Sequence, residues 1–108
     1  MEAIELPVEE AREWIAATRP RLIDCRELDE WEICRIEGAE LLPLSGFAEG
    51  FREALPDRDE TVLIYCHHGV RSLHAAEWLA GQGYTRVRSM AGGIDAWARL
   101  YEPGMPRY

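Results

Sequence analysis

The five residues Thr61–Tyr65, "TVLIY", restrict the fold more than any other stretch. A continuous apolar, β-branched run has no polar face to offer to water. It suits a strand of a parallel sheet covered on both sides, where the usual two-residue alternation is lost. Parallel strands need crossover connections, and segments of helical period supply them here between further short apolar runs. Ala3–Leu6, Arg21–Asp24, Ala39–Leu44 and Arg86–Met90 read as the other strands, with Pro43 ending the ladder of the third.

Pro7 opens a helix with an apolar stripe at Val8, Ala11, Trp14 and Ile15. The acidic stretch 26–35, "RELDEWEICR", has room for one or two helical turns, and its "ELDEWE" part reads as a solvated face. Phe47, Phe51 and Leu55 recur every four residues, with Gly50 a weak point and Pro56 a stop. Ser72–Ala80 is apolar nearly all round and should be largely covered, with Gly81 and Gly83 stopping it. Ile94, Trp97, Ala98 and Tyr101 mark a last helix, and Trp14, Trp78 and Trp97 are expected in the core. Five strands alternating with helices predict one α/β domain over residues 1–108, a parallel sheet covered on both faces.

Charge and cysteine usage narrow the function. Net charge is -8, which argues against nucleic acid or an anionic membrane as the main partner. All 12 basic residues are arginine, which removes Schiff-base chemistry and the phosphate-loop lysine. No segment approaches the roughly 20 apolar residues that span a bilayer. Cys25, Cys34 and Cys66 are odd in number, have no paired spacing and follow no secretory leader. A reducing, cytoplasmic setting with free thiols is the expectation.

Ligands of such sheets bind at the carboxyl ends of strands, and "YCHHGVRS" (Tyr65–Ser72) follows the clearest strand directly. The helix start after Cys66 offers unpaired N–H groups and partial positive charge, and Arg71 adds a full one; both favour the thiolate. Gly69 permits the curl that turns successive amides inward as an anion nest. A cation at a helix start opposes the dipole, so an anion is expected beside Arg71. Four residues separate Cys66 from Arg71, and the result is a thiolate at the bottom of a small bowl.

This octapeptide resembles the active-site loop of the rhodanese-like sulfurtransferases. Three further stretches resemble family signatures in family order: "LIDCRE" (Leu22–Glu27), "RIEGAELLPL" (Arg35–Leu44) and "MAGGIDAW" (Met90–Trp97). The resemblance implies a three-layer α/β/α domain with a five-stranded parallel sheet. It implies a persulfide on Cys66, formed from an anionic donor such as thiosulfate and passed to a thiol, a protein or another nucleophile. Substrate would be held by His67, His68, Gly69, Val70, Arg71 and Ser72, with Arg71 on the donor's oxyanion and no metal or organic cofactor. Asp24 and Arg26 would pair nearby to shape the loop. Two positions depart from the pattern: His67 stands where thiosulfate-using members often have arginine, and Cys34-Arg35 replaces a common Gly-His.

Several alternatives stay open on the residues alone. His67 and His68 either hold substrate with their rings or point into solvent while their amides work. Cys25 reads as a packed thiol, and Cys34 either resolves the persulfide or is idle. A metal on the histidines is disfavoured, because adjacent residues in a tight bowl rarely converge on one ion. A cysteine phosphatase or arsenate reductase would space cysteine and arginine by about five residues, for a wider anion. A partner-dependent carrier or docking module is the other rival, and the tail "EPGMPRY" either covers the site or trails.

Overall fold

The computed structural model describes residues 3–108. Strands β1 (Glu5–Leu6), β2 (Arg21–Asp24), β3 (Glu40–Leu41), β4 (Val62–Tyr65) and β5 (Val87–Met90) form one sheet. Their order is β1-β5-β4-β2-β3, and every neighbouring pair is parallel. Helices α1 (Val8–Thr18), α2 (Leu28–Ile33), α3 (Phe47–Ala54), α4 (Val70–Gly81) and α5 (Gly93–Tyr101) complete the chain.

The apolar "VLIY" run occupies the central strand, and all four side chains are 0% exposed. Val62 and Ile64 pack with Phe47, Phe51, Ala75 and Leu79, beneath α3 and α4. Leu63 and Tyr65 point the other way, to Val8, Ala11 and Ile94 of α1 and α5. Two cores on opposite faces of one sheet make the three-layer α/β/α arrangement expected from the sequence.

Several local expectations change at the sheet's edges and surface. β1 pairs only through Glu5 and Leu6, against β5, and β3 only through Glu40 and Leu41, against β2. Beyond β3 the amides of Leu42 and Leu44 still reach Asp24 O (2.9 Å) and Cys25 O (3.0 Å), while Pro43 between them has no N–H to offer. α4 begins at Val70 rather than Ser72. Its outer side is less covered than its composition suggests: Trp78 is 40% exposed, laid edge-on against Phe51 at 4.8 Å. Trp14 and Trp97 sit half-buried at the margin of the second core.

Candidate active site

Cys66 stands one residue beyond β4, and Cys25 stands one residue beyond β2. β2 and β4 run side by side with Asp24 opposite Tyr65, and the Cys25 amide continues the ladder to Tyr65 O at 3.1 Å. Both cysteines project to the same face and share one core cluster, so their thiols are neighbours. This follows from strand parity alone.

Past Cys66 the chain curls tightly into α4. Gly69, the residue before that helix, takes φ +104, and a Cβ there would lie 3.0 Å from Gly92 N. The curl is held from below by α5. Ile94 N donates to Cys66 O (2.9 Å), and Asp95 N donates to His67 O (3.1 Å). Gly93 makes this approach possible, because a Cβ there would meet His67 O at 2.4 Å and Cys66 O at 2.5 Å. With those carbonyls turned to α5, the loop's amides face the sulfur. Gly69 N–H and Ser72 N–H reach Cys66 Sγ at 3.1 and 3.4 Å.

Ser72 also brings its hydroxyl to 3.5 Å from Cys66 Sγ. That hydroxyl is 2.8 Å from the hydroxyl of Ser89 on β5, and both serines are 0% exposed. The Cys66 thiol is consequently pushed down to about 4. A hydrogen bond from the Cys25 thiol is the largest cause, and burial opposes it; the Ser72 hydroxyl and the two amides add to it. Cys25 is driven the opposite way, well above the ordinary thiol range, chiefly by its bond to the Cys66 sulfur. The two thiols are thus driven in opposite directions, with the charge favoured on Cys66.

Arg71 does not project over the sulfur alone. Its guanidinium makes a two-pronged ion pair with Glu30 of α2, at 2.7 and 2.9 Å. The anion expected beside this helix start is therefore supplied by the chain itself. The "ELDEWE" stretch, read as a solvated face, turns Glu30 inward because α2 abuts the loop. Arg71 holds the Glu30 carboxyl down at about 2. Val70, the first residue of α4, leaves its side chain 64% exposed.

Asp24 and Arg26 form a fully buried pair at 2.6 Å. The same guanidinium donates to Cys34 O (2.6 Å), Glu30 O (3.3 Å) and the Tyr108 oxygen (2.8 Å). It ties the end of β2, both sides of α2 and the C-terminal tail together. The tail covers the rim: Tyr108 stacks on the His67 ring at 3.9 Å and donates its hydroxyl to Glu30 at 2.8 Å. Burial, then the neighbouring His68, push His67 below the ordinary histidine range, while His68 itself is exposed.

His67, His68 and Asp95 bring ligand atoms within 4.8 Å of one another. Asp95 is already met by Arg99 (3.3 Å) and Arg107 (3.1 Å), two cations that would oppose a metal ion there. Cys34 touches Arg26 at 3.9 Å and lines a cavity with His67, Asp95 and Tyr108. Among the described residues no helix is long and apolar enough to cross a membrane.

Fold and loop together define a class: an α/β domain with a cysteine in an amide-lined bowl at the end of its central strand. The sequence pattern of the Rhodanese-like domain matches residues 7–100. The chain belongs to the rhodanese-like domain family. It is 38% identical over 100 residues to the probable adenylyltransferase/sulfurtransferase MoeZ of Mycobacterium tuberculosis, covering 92% of this chain and 26% of that protein. The chain thus spans about a quarter of that relative's length. The thiosulfate sulfurtransferase GlpE of Actinobacillus succinogenes is 33% identical over 102 residues, covering 94% of this chain and 87% of that one. The human single-domain sulfurtransferase TSTD1 superposes with a TM-score of 0.80 at 26% identity, covering 92% of this chain and 97% of the other.

Proposed function

We propose that this chain is a sulfurtransferase whose Cys66 carries one sulfur atom between a donor and an acceptor. The observation that carries this reading is the convergence of the Gly69 and Ser72 amides on the Cys66 sulfur, an arrangement that favours its thiolate. In the first half-reaction the Cys66 thiolate attacks the outer sulfur of the donor. With thiosulfate, the S–S bond breaks, sulfite leaves with the electron pair, and Cys66 keeps a persulfide anion. In the second, an acceptor thiol attacks the outer sulfur, departs as its own persulfide with the proton, and Cys66 returns as a thiolate.

Each surrounding group has work in this cycle. The amides, already aimed at the sulfur, would hold negative charge on the persulfide without rearranging. The buried Asp24–Arg26 pair and the α5 contacts keep the loop from relaxing. His67, His68, Gly69, Val70 and Arg71 form the wall that the donor meets. No step calls for a metal or an organic cofactor. Four residues between Cys66 and Arg71 suit a single added sulfur better than a phosphoryl group.

A second reading keeps the same chemistry but loads Cys66 from a protein partner. The strap of Tyr108 across His67 and the likeness to part of a larger sulfurtransferase favour it. Mass spectrometry after thiosulfate treatment tests the main reading. A gain of one sulfur atom on Cys66, absent in Cys66→Ser, is expected. Turnover of p-nitrophenyl phosphate with no sulfur gain from any donor would overturn it.

A further inference from the structure

We propose that Glu30 sets the choice of sulfur donor: by pairing with Arg71 it cancels the loop's own cation beside Cys66, so the site favours monoanionic or neutral sulfane-sulfur donors over dianions such as thiosulfate. This rests on the sulfurtransferase reading and concerns only which donor that site accepts. It reverses the expectation that Arg71 is the donor's oxyanion clamp.

The geometry leaves Arg71 little freedom. Both of its terminal nitrogens are engaged by both Glu30 oxygens, at 2.7 and 2.9 Å. Glu30 is itself anchored by the Glu27 amide at 3.1 Å and the Tyr108 hydroxyl at 2.8 Å. A two-pronged pair of this kind is geometrically specific and stronger than a neutral hydrogen bond. Swinging the guanidinium to a donor would therefore break two charge-assisted bonds. It would also leave a carboxylate next to an incoming anion.

The other cations near the bowl are engaged by carboxylates as well. Arg26 answers Asp24 at 2.6 Å, and Asp95 answers Arg99 and Arg107. Burial, then the neighbouring His68, push His67 below the ordinary histidine range, which disfavours a cation there. What remains for a donor is the pair of amides on the sulfur, which recognise one negative end. A second negative charge gains nothing from the paired Arg71 and approaches a chain of net charge -8.

Charge arithmetic gives the size of the effect. Coulomb energy is linear in the ligand's charge, so a change at the rim acts twice as strongly on a dianion as on a monoanion. Removing the Glu30 charge frees Arg71. If kcat/KM for thiosulfate then rises about tenfold, that for a monoanion should rise about threefold, its square root. Methanethiosulfonate is the matched probe. It gives the same sulfur to Cys66 and expels methanesulfinate in place of sulfite.

The experiment measures kcat/KM for both donors in wild type, Glu30→Gln and Glu30→Asp, with folding checked by circular dichroism. We expect the thiosulfate-to-methanethiosulfonate ratio to rise about threefold in Glu30→Gln and to stay near wild type in Glu30→Asp, which keeps the charge. An unchanged ratio in Glu30→Gln, or an equal rise in Glu30→Asp, would overturn the proposal. Should Glu30→Gln not fold, salt dependence of the wild type decides. With a neutral rim, kcat/KM for thiosulfate should stay flat or rise with salt; a steep fall would reveal a free cation and refute the idea. Failure of both donors to load Cys66 would instead remove the sulfurtransferase reading itself.

Discussion

The Cys25 thiol is the partner that most favours the Cys66 thiolate, and removing it gives a measurable shift. Cys25→Ala deletes one buried hydrogen bond to a charged sulfur and leaves the amides of Gly69 and Ser72 in place. Such bonds contribute about 1.5–3 kcal/mol, and one pKa unit is about 1.36 kcal/mol, so the Cys66 midpoint should climb by about 1–2 units. From about 4 in the wild type it would move to about 5–6. Cys25→Ser restores a donor at the same place and should recover most of the shift. Thiolate absorbance in the ultraviolet, recorded against pH and corrected with Cys66→Ser, reads the midpoint directly. Sulfur loading at pH 5 should fall in Cys25→Ala and recover in Cys25→Ser. A midpoint in Cys25→Ala equal to wild type would show that the amides alone hold the charge, and the two-thiol account would be wrong.

Two further outcomes follow from the same geometry. Gly93→Ala places a methyl 2.4 Å from His67 O at φ +58, so it should destabilise the fold by at least ~2 kcal/mol in urea unfolding and abolish sulfur loading; a stable, active variant would refute the idea that α5 clamps the loop. Glu30 is held down at about 2 from an ordinary 4.5, so its pairing stabilises the fold fully above the unfolded value. That stability should drain away as pH falls from about 4.5 toward about 2, and Glu30→Gln should flatten this part of the acid-unfolding curve, whereas an unaltered slope would exclude the pair.

Local regularity explains what was legible. β2 appears where "RLID" predicts it, and α1, α3 and α5 follow their apolar stripes. Each of these rests on side chains within a few residues of one another. The edge strands came out shorter than their apolar runs, because an edge has one partner and its length depends on that partner's extent. Trp78 illustrates a related limit. An apolar helix reads as covered, yet coverage requires a neighbour, and α3 meets Trp78 only edge-on through Phe47 and Phe51.

The site divides along the same line. The loop's cysteine, glycine and arginine stand within six consecutive residues, so their chemistry could be read in order along the chain. Glu30 and Tyr108 reach Arg71 and His67 from 41 residues before and 41 after in the sequence, respectively. An acidic stretch and an irregular tail carry no local sign of such a destination. Ser89, inside β5, gives no hint that its hydroxyl supports Ser72. Cys25 did carry a hint: like Cys66 it stands one residue past a buried strand, and adjacency of those strands would have paired the two.

By itself the amino-acid order determined an α/β domain, a strand-end cysteine and a loop able to wrap an anion, because backbone geometry and periodicity act over short range. Tertiary structure decided how that sulfur is ionised and what its rim attracts. Strand order β4-β2 brings Cys25 against Cys66, and the packing of α2 against the loop gives Arg71 its carboxylate. Electrostatics acts through space, and the distances that govern it exist only once the chain has folded.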